Sequence, residues 1–226
     1  MLDWEAMRKK ERKYERMELM KLLILGATGR VGRQVLNNAI KDGHQVTVLV
    51  RSKDKLSDLE PGLFEIVEGN VLNASDVEAA MKGAEAVISA LSTDGADVLS
   101  QGLPLVIGTM KKAGISRIVT VGTAGILQSR VSPDLLRYQS SESRRSLTRA
   151  SQEHHQAYSL LEASGLDWTI VCPTYLPEGT RVGSYRIEAD YLPENATEIS
   201  VYDTADFAYE QLFSQKHLHT RVGIAY

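Results

Sequence analysis

The sequence predicts an α/β protein, built as a doubly wound, mostly parallel sheet with helices on both faces. Three observations predict it. Short apolar, β-branched runs alternate with helical patterns from Met20 onward. The runs are nearly continuous in hydrophobicity, as strands covered on both faces must be, and parallel strands need helical crossovers between them. The first run stops at a glycine, two more glycines follow at three-residue steps, and a helical pattern starts at once.

Residues 21–25 form the first expected strand and 31–40 the first helix, which ends at Asn37-Asn38-Ala39-Ile40-Lys41-Asp42-Gly43. Strands follow at 45–50 and 64–69, then a short helix at 76–82 that Ser75 or Asp76 can cap. The fourth strand is expected at 86–91, a helix at 102–113, the fifth strand at 117–122, a long helix at 152–163, and the sixth strand at 168–172. Residues 200–208 open a closing helix with Asp203 placed as its cap. Met20 to Tyr226 is then one domain with substrate-side loops at 123–150 and 173–198. Residues 1–19, dense in Arg, Lys and Glu, form a charged leader with helical propensity.

Composition narrows the function. A chain of 226 residues with 43% hydrophobic residues can bury one sizeable core. A net charge of -3 gives no electrostatic support for nucleic-acid binding. No apolar run approaches the roughly 20 residues that span a bilayer, and no secretion signal opens the chain, so no membrane role and a cytoplasmic location are expected. Cys172, the sole cysteine, lies inside an apolar run and is expected as a small core residue. No spacing suggests a metal site, and nothing in the chain sets its oligomeric state.

The glycine segment Gly26-Ala27-Thr28-Gly29-Arg30-Val31-Gly32 carries the strongest chemical signal. A strand turning sharply into a helix leaves the first helical N–H groups unpaired, and these hold a pyrophosphate at the positive end of the helix dipole. Gly26 permits the turn, Gly29 the approach of the phosphates, and Gly32 the packing of helix on strand. This is the signature of a Rossmann-like dinucleotide site, whose ligand lies beyond the carboxyl ends of the strands where their order reverses. The second strand ends in Val50-Arg51-Ser52-Lys53 rather than in the acidic residue that selects NAD(H). Arg51 can stack on adenine or pair with a 2′-phosphate, with Ser52 and Lys53 adding contacts. A solvated basic loop is the alternative, and Asp54 keeps NAD(H) open beside the favoured NADP(H). Asn70 either reaches the adenine edge, with Val71 packing on the ring, or makes a simple Asn turn. Small residues Ser89, Ala90 and Ser92, with Leu91 between them, leave space for a flat ring system.

Dehydrogenases on such a sheet commonly use a serine, a tyrosine and a lysine four residues after the tyrosine. Here His155 stands at the tyrosine place and Ser159 at the lysine place. Tyr158 followed by Glu162 cannot substitute, because a carboxylate opposes phenolate formation. Near the expected nicotinamide are Thr123, whose hydroxyl can bond a carboxamide or substrate carbonyl, and Tyr175, which either lines a pocket for a planar substrate or covers the sheet edge. His154 and His155 can relay a proton, His155 being the catalytic candidate of the two, but they point about 100° apart on the helix, so at most one faces the site. Arg130, Arg137, Arg144, Arg145 and Arg149 lie in a polar stretch that can either cover the cleft and draw in anions or form an ordinary solvated surface.

These segments, with Gly69-Asn70-Val71-Leu72, Ser164-Gly165-Leu166-Asp167-Trp168 and Cys172-Pro173, resemble the atypical short-chain dehydrogenase/reductase family, most nearly its NAD(P)H-binding group that includes flavin reductase/biliverdin reductase B. The resemblance covers Met20 to Tyr226. It implies that Gly26, Thr28, Gly29, Arg30, Val31 and Gly32 wrap the diphosphate and that Arg51 meets the 2′-phosphate. Asn70 stands where the reductase has aspartate, Thr123 where it has serine, and Tyr175 where it has histidine. The implied function is hydride transfer from NADPH to a planar conjugated acceptor, such as a flavin or another planar anionic compound. The alternatives are a nucleotide-sensing regulatory protein that acts through a protein partner without efficient turnover and, third, an epimerase or dehydratase.

Overall fold

The computed structural model describes residues 18–93, 96–143 and 148–226. Along the chain run β1 (Lys21–Leu25), α1 (Arg30–Lys41), β2 (Gln45–Val50), β3 (Glu65–Glu68), α2 (Ala74–Ala80), β4 (Ala86–Ser89), α3 (Val98–Ala113), β5 (Arg117–Val121), α4 (Arg149–Glu162), β6 (Asp167–Pro173), β7 (Arg186–Ala189), α5 (Val201–Gln211) and β8 (Thr220–Ala225). The strands form one sheet in the order β3-β2-β1-β4-β5-β6-β8-β7. Every described pairing is parallel except β7 with β8.

Alternation along the strands divides the core in two. Leu23, Leu25, Val87, Ile118 and Ile170 join the cluster packed under α2, α3 and α4. Leu22, Ile24, Ile88, Val119 and Val171 join the cluster on the opposite face, with α1 and α5. Both faces are therefore covered, which explains the nearly unbroken apolar runs. The chain leaves β1 outward through β2 and β3, then returns to lay β4 on the other side of β1. The carboxyl ends of β1 and β4 flank that reversal, where the cleft of such a sheet opens.

The sixfold parallel frame matches the sequence prediction, and the structure adds two strands. β8 lies between β6 and β7, and β7 is an edge strand inside the segment 173–198 that was expected as loop. Gly223 lies in the middle of β8 because a Cβ there would stand 2.1 Å from the carbonyl oxygen of Tyr191. Two caps also differ. Asn73 caps α2, its side chain accepting from the Ser75 amide, so Ser75 and Asp76 fall inside the helix. Ser200, not Asp203, caps α5 by accepting from the Asp203 amide. Asp203 instead accepts from the amides of Val182 and Gly183 and from the hydroxyl of Tyr226, tying the segment after β6 to the last helix. Residues 1–17 of the expected leader lie outside the described residues. No helix among the described residues is long and apolar enough to cross a membrane.

Candidate functional site

The turn between β1 and α1 sits where the strand order reverses. Gly26 has φ +79°, and a Cβ there would stand 2.5 Å from the carbonyl oxygen of Ala90. The turn closes with a bond from the Gly29 amide to the Gly26 carbonyl, 3.0 Å. Gly32 packs so closely that its Cβ would lie 2.1 Å from that same oxygen. Gly29 is the N-cap of α1, and no side chain caps the helix. Its first turn holds no acidic residue. These features leave the first amides of α1 at an exposed turn, with Thr28, Gly29 and Arg30 all open to solvent. A phosphate-sized anion fits that arrangement on both geometry and charge.

The other positions singled out from sequence lie around the same carboxyl edge. Arg51 is exposed just past β2, and the Ser52 hydroxyl donates to Asp54 at 3.4 Å. Asn70 makes the simple turn, its side chain accepting from the Leu72 amide at 3.1 Å while its own amide donates to Asp76. Val71 is buried against Gly102 of α3, so its side chain belongs to the core rather than to an adenine-facing surface. Ala90 continues the β1–β4 pairing by donating to the Leu25 carbonyl; Leu91, which follows, is half-buried and Ser92 is exposed.

Further along the sheet, Thr123 ends the extension of β5, and its hydroxyl accepts from the Gly125 amide at 3.4 Å. Tyr175 is 61% exposed just beyond β6 and bridges through its backbone to Glu198. His155 meets the hydroxyl of Tyr138 through Nδ1 at 3.0 Å, a contact between α4 and the loop after β5 that no local pattern signals. Tyr158 donates to Glu162 at 2.6 Å, and burial together with that bond pushes its phenol up to about 12. It cannot act as a phenolate near neutral pH. Cys172 is fully buried, and burial pushes its thiol up to about 12, as expected of a core residue.

The arginines after β5 are not loose. Arg130 pairs with Glu188 and lies over the Tyr191 ring, Arg137 pairs with Glu142, and Arg149 pairs with Asp97. The described part of this stretch is thus a pinned surface rather than a free anion-gathering cover. Arg144 and Arg145 lie outside the described residues. Among the described residues no cluster of His, Cys, Asp and Glu could hold a metal ion.

Comparison with known proteins agrees with this geometry. Residues 26–215 match the family described as NAD(P)H-binding. The uncharacterized protein YwnB of Bacillus subtilis is 30% identical over 208 residues, spanning 88% of this chain and 93% of its own. Among solved structures, a Bacteroides thetaiotaomicron protein described as an epimerase superposes with a TM-score of 0.78 at 29% identity, over 92% of this chain and 98% of that one. ChuY, an anaerobilin reductase from Escherichia coli O157:H7, superposes with a TM-score of 0.74 at 25% identity, over 91% of this chain and 96% of that one.

Proposed function

Because the chain belongs to the NAD(P)H-binding family, we propose that it is an NADPH-dependent reductase that delivers a hydride to a planar conjugated acceptor such as a flavin. The uncapped N-terminus of α1, set at the reversal of strand order, carries this reading. NADPH, when bound, supplies the hydride from its nicotinamide ring.

The residues of the chain then have separate tasks. The turn at Gly26, Thr28, Gly29, Arg30, Val31 and Gly32 wraps the diphosphate, with the Gly29 amide kept on the Gly26 carbonyl and the first open amides of α1 facing the phosphates. Arg51, with Ser52 beside it, meets the adenosine 2′-phosphate and favours NADP(H) over NAD(H). Asn70 and the backbone of Val71 border the adenine, while Ala90, Leu91 and Ser92 form the wall along the rest of the nucleotide. Thr123 offers a hydroxyl to the nicotinamide carboxamide or to an acceptor carbonyl. The exposed ring of Tyr175 stacks on the acceptor. Such a site works by holding two rings in register, a task that needs no phenolate. Tyr158, bonded to Glu162, supplies none.

The ChuY likeness supports an acceptor of the planar, conjugated kind. An epimerase needs a matched acid and base on either side of a substrate carbon, and the paired Tyr158 speaks against that chemistry. Nucleotide sensing without turnover is the competing reading. A titration with NADPH and NADH followed by an acceptor screen tests the proposal: steady NADPH oxidation with FMN or a linear tetrapyrrole supports it. Tight binding with no oxidation across the panel replaces it with the sensor.

A further inference from the structure

A cavity of about 200 Å³ opens beyond the ends of β6 and β8. The segment 177–182, which follows β6, forms one wall. Ser200 at the start of α5 and Tyr226 after β8 form the other. β6 and β8 are parallel, so both walls rise from the carboxyl edge of the sheet. Whole small-molecule ligands fill roughly 300–1,000 Å³. This cavity therefore takes one end of a molecule and leaves the rest on the surface beside it.

That surface carries Tyr175. Its backbone bridges Glu198, a residue of the cavity wall, and the Ile199 amide donates to the Tyr175 carbonyl at 2.9 Å. Residues directly opposite in a ladder put their side chains on the same face, so the exposed ring and the carboxylate stand side by side. Leu176, next in the chain, is held to the glycine turn by Arg30, which keeps this wall close to the turn.

The hydrogen-bond donors around the cavity are already committed. Ser200 Oγ, Tyr226 Oη and the amides of Val182 and Gly183 all donate to Asp203. Arg181 is paired with Asp206. What is left for a ligand is the Glu198 carboxylate and the Thr180 hydroxyl, neither of which has a hydrogen-bond or ion-pair partner among the described residues. A carboxylate only accepts, whereas a hydroxyl accepts or donates. Pro177 and Val182 add apolar surface for a ring. A phosphate or carboxylate would be repelled by Glu198. A flat ring edge with an N–H next to a carbonyl satisfies both groups.

We propose that Glu198 and Thr180 form the specificity end of the acceptor site and recognise a cyclic imide or lactam edge. Glu198 accepts from the ring N–H, Thr180 donates to the adjacent carbonyl, and Tyr175 stacks on the ring. This rests on the reductase reading above and narrows its acceptor. The pyrimidine end of a flavin and the terminal ring of a linear tetrapyrrole both carry such an edge, and the anionic tail of either lies outside the cavity.

The test compares lumiflavin, 3-methyllumiflavin (whose imide N–H is replaced by a methyl) and biliverdin as acceptors at saturating NADPH. Binding of the two flavins to NADP⁺-saturated protein is followed separately by fluorescence quenching. Glu198→Ala and Thr180→Val are compared with wild type; both residues are exposed, so both variants should melt with wild type. Wild type should show a KM for lumiflavin about tenfold below that for the methyl derivative. Glu198→Ala should raise the lumiflavin KM and dissociation constant to the level of the methyl derivative, leaving the latter and kcat unchanged. Thr180→Val should raise the KM of both flavins, because both keep the carbonyl. A Glu198→Ala effect on lumiflavin alone assigns the site to an imide, and one on biliverdin alone assigns it to a lactam. Wild-type KM values for every acceptor in both variants, with NADPH oxidation intact, overturn the subsite and leave the reductase reading standing. A wild-type protein that neither oxidises NADPH nor quenches either flavin overturns the reductase reading and the subsite with it.

Discussion

Arg30, the first residue of α1, donates through Nη1 to the carbonyl oxygen of Leu176 at 3.0 Å, across 146 positions of sequence. The Glu178 carboxylate stands 3.9 Å from the same guanidinium. One side chain thus ties the glycine turn to the segment that follows β6 and carries Tyr175. That segment is held from its other side by Asp203 and by the ion pair of Arg181 with Asp206. The glycine turn and the segment after β6 are mechanically joined.

Arg30→Ala should cut that tie. Both members of the Arg30–Glu178 pair are more than half exposed, so the loss of stability should stay below about 1 kcal/mol. The acceptor KM at saturating NADPH should rise several-fold because the loop bearing Tyr175 is no longer held at a fixed distance. An unchanged acceptor KM would detach Arg30 from the substrate side.

Gly29→Asp separates folding from binding. Gly29 is an N-cap with φ -82° and ψ 168°, a conformation open to aspartate. Relative to glycine, a capping carboxylate there contributes only a few tenths of a kcal/mol, about 0.3, of stability. A Cβ would meet the Gly26 carbonyl oxygen at 3.3 Å, a tight but tolerable contact. The variant should therefore melt near wild type while losing nucleotide affinity by about 100-fold or more, because its charge occupies the place of the diphosphate. Gly32→Ala should do the opposite, destabilising the fold by about 1–3 kcal/mol through overlap with the Gly26 carbonyl. Chemical denaturation of both variants checks the pair.

Asp203 predicts an acid limit. Burial works to raise its carboxyl, but bonds from Tyr226, Val182, Gly183 and Ser200 outweigh it and hold the group below the usual carboxylate range. A carboxyl depressed by folding stabilises the protein above its unfolded pKa of about 4. That contribution disappears as pH falls through the lower folded value. Asp203→Asn should be less stable than wild type at pH 7 and should show a shallower loss of stability below pH 4. Parallel curves for the two proteins would remove Asp203 from this role.

His154 acts in a neighbouring window with the same overall sign. Its folded pKa of about 4 lies below that of an exposed histidine, about 6.5. Between those values the unfolded chain binds the proton and the folded chain does not, so stability rises with pH by up to about 1.4 kcal/mol per unit. His44 and His217 are also lowered by burial and add to the slope. The difference between wild type and His154→Leu isolates the His154 share. No difference in slope between pH 4 and 6.5 would mean that His154 is not held neutral.

Local pattern sufficed for β1 to β6 and for the glycine turn, because each is a short run whose hydrophobicity or spacing is self-contained. β7 and β8 were hidden for physical reasons. β7 is a four-residue, largely exposed edge strand, and β8 is interrupted by Gly223, which is required by the backbone of Tyr191 from elsewhere in the chain. The caps at Asn73 and Ser200 lie two and three residues before the positions that composition favoured, and only the backbone turn decides between such neighbours. The arginines after β5 read as available cations because their partners Asp97 and Glu188 lie 52 and 58 positions away.

Calorimetric titration of the intact protein with NADPH and NADH is the most direct check on the glycine turn as a dinucleotide site. The account predicts one NADPH per chain, bound more tightly than NADH, with the heat abolished in a folded Gly29→Asp variant. Absence of heat with both nucleotides, or equal heat from wild type and Gly29→Asp, would contradict it.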